Sequence, residues 1–217
     1  MTEAEWLIPD DPWKLLHAVQ ESRPSRRKVR LFNAAVCRRF WDHLPEASRA
    51  ILSESERLAD GLVHAKGEMD LCHRANEVVS TLFDRSYPTK QYPSAEVRIQ
   101  RDAAAAVCYA VIPNELWGAV GYFWDLMPSE KGPHSAIIRD VFGNPFRSVT
   151  IEPALRMPEV IALAERIYDD RAFNRMPLLG DVLEHAGCGN PDVLAHCRSQ
   201  TEHVRGCWVV DTVLRKT

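Results

Sequence analysis

The sequence predicts an all-α protein, an irregular multi-helix bundle or stacked helical pairs, with about ten helices, some of them short. Three observations carry this expectation. Apolar residues recur at steps of three and four along most of the chain. Capping residues and prolines stand where those runs begin and end. Strand-like alternation is weak and confined to 146–151.

Thr2 and Glu5 have capping-box spacing, and Pro9 and Pro12 hold that first helix to about two turns. A helix over 11–21 has Pro12 at its first position, where a missing N–H costs nothing. Ser25 caps a long helix over 26–44, with Val29, Phe32, Val36, Phe40 and Leu44 on one face, and Pro45 ends it. The helix over 46–65 turns Ile51, Leu52, Leu58, Leu62 and Val63 inward, and the next, over 68–85, carries Leu71, Val78, Val79, Leu82 and Phe83. SYPTKQYP, 86–93, is a loop. Ser94 or a neighbour starts a helix through the alanine run 103–106, whose small side chains suit close helix packing. Pro113 interrupts it, and Asn114 caps an aromatic-rich helix reaching 127, whose Trp117, Tyr122, Phe123 and Trp124 are assigned to the core.

A loop at 128–133 divides an N-terminal helical lobe, 1–127, from a C-terminal helical lobe, 134–217, the alternative being one compact domain formed by both. The second lobe holds helices over 134–141, 153–168, 174–185, 191–198 and 202–214. Phe142-Gly-Asn-Pro-Phe146 is a bend, with both phenylalanines anchored in the core. The terminal helix is apolar nearly all round, which predicts an interior element.

Hydrophobic content of 46%, charged content of 26% and a net charge of −3 suit a globular chain with no global attraction to nucleic acid or membrane. No run of about eighteen apolar residues predicts a transmembrane helix. The N-terminus lacks a basic segment followed by an apolar one, so no export signal is expected and the cysteines are expected to be reduced, in the cytoplasm.

The runs KVRLFNAAVCRRFWDHL, SERLADG, RDVFGNPFRSV and HCRSQTEHVRGCWVVDTVL together resemble a family of planctomycete proteins that recur as many paralogues per genome. Its members share RLF…CRR, RDxFGNPFRxV and HCR…HVRGCWVxDxxL motifs. The resemblance covers both ends and leaves about 66–132 poorly matched. That family has no assigned activity, so the resemblance implies no reaction, ligand or partner. Family members often have paired cysteines before the arginines, where this chain has Val36-Cys37.

Six of the fourteen cysteines and histidines fall in the last 33 residues: His185, Cys188, His196, Cys197, His203 and Cys207. His203 and Cys207, four apart on one helix face, resemble the helical half of a zinc finger. Cys188, Cys197, His203 and Cys207 are therefore the candidate zinc ligands, and His185 or His196 can substitute. A C-x₂-C knuckle is absent. The competing reading is structural. Gly187 takes the left-handed position after a helix, Cys188 folds back upon it, and the other cysteines fill the core. Asp211 lies in the apolar terminal helix, so it needs an ion partner, with Arg205, Arg198 or Arg147 as candidates. Beside Cys207 and His203 it is otherwise a catalytic acid or base.

Arg23, Arg26, Arg27, Lys28 and Arg30 are the candidate nucleic-acid contacts. Nearby acids favour a paired or solvated face, and nucleic-acid binding is the weaker expectation. No P-loop, dinucleotide fingerprint, zinc-protease motif or nucleophile elbow occurs. The leading expectation is therefore a non-catalytic helical module acting through a protein partner or self-association, with an exposed apolar patch within 86–132. The alternatives are a zinc-stabilised module, an enzyme using Cys207, His203 and Asp211, and a nucleic-acid-binding protein.

Overall fold

The computed structural model describes residues 1–8, 11–62, 66–86, 94–112, 116–123 and 128–216. Among these it is all-α, with twelve α-helices, four short 3-10 turns and no strand. The predicted loop at 86–93, the Asn114 cap and the end of the aromatic helix lie largely or wholly outside the described residues.

The first helices form as their caps dictate. α1 (Glu3–Leu7) closes a reciprocal capping box, Thr2 N donating to Glu5 Oε2 at 2.7 Å and Glu5 N to Thr2 Oγ1 at 3.3 Å. α2 (Pro12–Glu21) starts under the Asp11 carboxylate. α3 (Arg26–Arg38) is capped by Ser25 and is the central strut, buried continuously from Val29 to Cys37. It stops short of the predicted 44. Arg39 and Phe40 bond three residues back instead of four, and a 3-10 turn, Trp41–His43, carries Phe40 and Leu44 into the core without a helix.

α4 (Glu46–Ala59) ends at Asp60, followed by Gly61 at φ 71°. α5 (Lys66–Ser86) packs on α4 and on α6 (Ala95–Val111), and α6 and α7 (Gly118–Phe123) pack against α3. The alanine run 103–106 sits wholly in this interface.

α8 (Lys131–Phe142) begins inside the predicted 128–133 loop. Pro133 falls in its first turn, where no intrahelical N–H bond is forfeited. α8 packs with the N-terminal helices, so the first buried cluster runs from Trp6 to Val141 and takes in Val204. The second runs from Ile151 to Val213. The two clusters part at the bend after α8 and not at 128–133.

In that bend Gly143 has φ 67°, and Phe142 packs on the first core, but Phe146 is exposed. Asn144 Oδ1 accepts the Phe146 N–H at 2.9 Å in a local turn that aims the ring outward. α9 (Pro158–Asp169) starts five residues later than expected, because Pro158 forces Met157 into an extended conformation. α10 (Met176–His185) ends in a full Schellman motif. Gly187 has φ 100°, its N–H reaches Glu184 O at 2.9 Å, and Cys188 N–H reaches Leu183 O at 2.9 Å. α11 (Pro191–Cys197) is capped by Asn190.

The largest correction concerns the terminal helix. α12 spans Trp208–Leu214, not 202–214. Gly206 has φ 98°, and a Cβ there would stand 3.1 Å from Leu31, so the backbone turns at this point to lie against α3. Val209, Val210 and Val213 are buried, as expected for an interior element, and Trp208 and Leu214 are half-buried.

Candidate metal centre

The turn at Gly206 brings together residues that a continuous helix would have spread along one side. Asp140 projects from the last turns of α8, His196 from α11, His203 from the connecting loop, and Cys207 is the N-cap residue of α12. One ligand atom from each of these four lies within 4.8 Å of all the others. Asp140 Oδ1 stands 2.6 Å from His203 Nδ1 and 3.0 Å from His196 Nε2, and that same Nε2 stands 3.2 Å from Cys207 Sγ. The two imidazoles meet edge to face at 4.8 Å. Three of the four residues are buried, and His196 is the most open.

The outer atoms of these groups are held as well. Val204 N–H donates to Asp140 Oδ2 at 2.8 Å, which frees Oδ1 for the cluster. His203 Nε2 faces Ser199 Oγ at 3.3 Å, fixing the ring from behind. Burial alone would raise the Asp140 carboxyl, but hydrogen bonds from His196 and His203 hold it below the usual carboxylate range. Burial, with Asp140 nearby, pushes the Cys207 thiol well up, opposed by the backbone N–H groups of Val210 and Val209. With no metal bound, Cys207 is a neutral thiol beside an imidazole.

This geometry differs from a nucleophilic triad. There an imidazole takes a thiol proton on one nitrogen and offers the other to a carboxylate. Here the thiol and the carboxylate both face Nε2 of His196, so donor atoms converge on one point. Convergence of carboxylate, imidazole and thiol donors is the requirement for a metal.

The expected residues are distributed differently. His203 and Cys207 are in the cluster, although they precede the helix instead of sharing its face. Cys188 and Cys197 are buried in the second core, and burial pushes the Cys197 thiol up to about 12. His185 is exposed. All six cysteines are free. Asp140 is the member of the cluster that the sequence expectation lacks, and its signal is a carboxylate on the apolar stripe of α8, three residues after Ile137.

Asp211 does not join Cys207 and His203. Its carboxylate takes Arg27 Nη1 at 2.7 Å and Lys28 Nζ at 2.6 Å, and none of the three arginines proposed for it. Arg205 instead pairs with Asp60, Arg198 with Asp181 and Glu184, and Arg147 with Glu3 and Asp192. The basic segment is likewise turned inward. Arg27 and Lys28 serve Asp211, and Arg30 is buried on Glu68 and the Val111 carbonyl. Arg26 pairs with Glu68 from the surface, and Arg23 is exposed. Within 86–132 the described residues expose one large apolar side chain, Tyr122. No helix among the described residues is long and apolar enough to cross a membrane.

Comparison with protein-family models, with curated proteins and with solved structures finds no match for this chain.

Proposed function

We propose that this chain is a non-catalytic helical module stabilised by one zinc ion bound to Asp140, His196, His203 and Cys207. The observation that carries this reading is the convergence of four donor atoms, three of them on buried residues, from three separate parts of the chain. Donors around a tetrahedral zinc stand roughly 3.3–3.8 Å apart. The separations of 2.6, 3.0 and 3.2 Å lie below that range and all the others lie within 4.8 Å, so side-chain rotations that open the short pairs and close the longer ones bring the set to it. One thiolate, two imidazoles and one carboxylate suit a borderline-soft cation without geometric preference, which favours zinc over magnesium or calcium.

Four protein ligands fill a tetrahedron and leave no position for water or substrate, as in structural sites. The ion would replace the hydrogen bonds among these groups and take the Cys207 proton's place, so binding releases a proton. The Val209 and Val210 N–H groups then face a thiolate, which they stabilise.

The test is elemental analysis of protein purified without added metal. About one equivalent of zinc is expected, with a lower melting temperature after chelation. Cys207→Ser and His196→Ala should each lose the ion, whereas Cys188→Ala should keep it. Cobalt substitution should give a thiolate charge-transfer band that Cys207→Ser removes. Less than about a tenth of an equivalent, with melting indifferent to chelator, removes the reading.

A further inference from the structure

The inner side of α1 is pinned along its length. Trp6 is 1% exposed in the first core, and its carbonyl accepts two bonds from the Arg139 guanidinium, at 2.9 and 3.1 Å. Glu3 accepts Asn144 Nδ2 at 2.8 Å and pairs with Arg147, both from the bend after α8. α1 is therefore a fixed surface element, with little ordering left to lose on contact.

Its outer side is apolar and uncovered. Met1, Ala4, Glu5 and Ile8, spaced three and four apart, form one wall of a groove of about 530 Å³, and Lys14 and His17 of α2 form the other. Ile8 is 82% exposed, the most exposed large apolar side chain among the described residues, and Leu7 and Met1 beside it are exposed as well. A contiguous apolar stripe rimmed by polar residues marks a contact surface. The charges on the two walls are also unspent. Lys14 makes no ion pair among the described residues. The Glu5 carboxylate is bonded within its own capping box and feels Lys14 across the groove without bonding to it.

We propose that this stripe is the interface of a homodimer, α1 of one copy lying antiparallel against α1 of a second about a two-fold axis. Charge selects the occupant. The groove has its acid on one wall and its base on the other, so a half-turn sets Glu5 of each copy against Lys14 of the other. A foreign helix would have to bring an apolar stripe, an acid for Lys14 and a base for Glu5, whereas a second copy brings all three. Ala4, in the middle of the stripe, is small enough to let the two helices approach closely. A two-fold contact closes on itself, so association stops at the dimer. A few exposed side chains cover less than the roughly 800 Å² per partner of a standard interface, so the dimer is weak, with a Kd of about 10–300 μM.

Sedimentation equilibrium of the full chain, from about 10 μM to about 1 mM, tests this. A monomer–dimer equilibrium is expected, with no larger species. Ile8→Asp should weaken it by about tenfold or more. Lys14→Gln should weaken it by about threefold and Lys14→Glu by about tenfold, since the last sets acid against acid. Both positions are exposed, so the melting temperature should stay that of the parent. Met69→Asp, at an apolar side chain of α5 that is 66% exposed, should leave the dimer unchanged. The zinc content of all these variants should match the parent, which separates this outcome from the fate of the metal reading. A chain still monomeric at about 1 mM, association that continues past the dimer, a dimer indifferent to Ile8→Asp or to Lys14→Glu, or one weakened equally by Met69→Asp overturns the proposal.

Discussion

Asp211 sits one turn into α12 among valines, and Arg27 and Lys28 sit in the first turn of α3, where the helix dipole disfavours cations. Each side makes the other tolerable. Asp211→Asn would leave Arg27 with Asp60 as its one remaining carboxylate and Lys28 with carbonyl partners alone, and should cost about 3 kcal/mol, read as a lower urea midpoint. His134 is a second residue under strain. It is 1% exposed, its Nε2 meets no partner among the described residues, and burial lowers it to about 4, with Arg39 adding to the effect and Glu130 opposing it. Its folded value lies below the ordinary 6.5, so the unfolded chain binds the extra proton first. Stability from this residue is therefore full above 6.5 and falls as pH drops toward 4, by about 3 kcal/mol. His134→Leu should flatten that part of the stability–pH profile relative to the parent, as measured by denaturation at several pH values. Asp60 obeys the same linkage at lower pH. Burial would raise its carboxyl, but Tyr168, Arg205, Lys216 and Arg27 hold it down, so its contribution persists above the ordinary carboxylate range and is lost in acid below it.

Among the elements, those with strong local signals formed where expected. The capping box at Thr2, the Ser25 cap and the Schellman motif at Gly187 are all fixed within a few residues of sequence. Elsewhere the apolar period runs on across a local break that the backbone obeys. The apolar pattern of 202–214 passes through Gly206, and that glycine sets the start of α12. The same happened at Pro158, whose effect on Met157 outweighs the helical pattern before it. Gly206→Ala places a side chain at φ 98° and 3.1 Å from Leu31. It should destabilise the fold by about 1–3 kcal/mol and reduce metal occupancy, since His203 and Cys207 flank the turn. Measured zinc per chain and thermal melting report the two effects together.

On the scale of the whole molecule, 203–207 is the seam between the two cores. His203 faces Asp140 of α8, Val204 enters the first core, and Arg205 reaches Asp60. The Gly206 carbonyl accepts Lys28, and Cys207 returns to the cluster from the second core. Every residue of this pentapeptide is tied across the junction, and its two ends belong to the candidate metal cluster. Chelation should therefore loosen the junction before either core. Hydrogen exchange is expected to accelerate first in 196–214, and a single melting transition should broaden or split. Uniform acceleration through α3 and α6 at the same chelator concentration would contradict this.

Helix content, most caps and the interior character of the last helix were written in the sequence, because spacing, capping and breaking act within a turn or two of chain. The concentration of histidine and cysteine near the end marks the stretch that supplies three of the four residues of the cluster. What stood outside the sequence was membership. Asp140 is more than fifty residues from the histidines it meets, and Arg27 and Lys28 are farther still from Asp211. Only the folding of the chain back along α3 and α8 brings those charges within bonding distance. Short-range physics set the elements, and the burial of charge, which must find a partner wherever the fold provides one, selected the site.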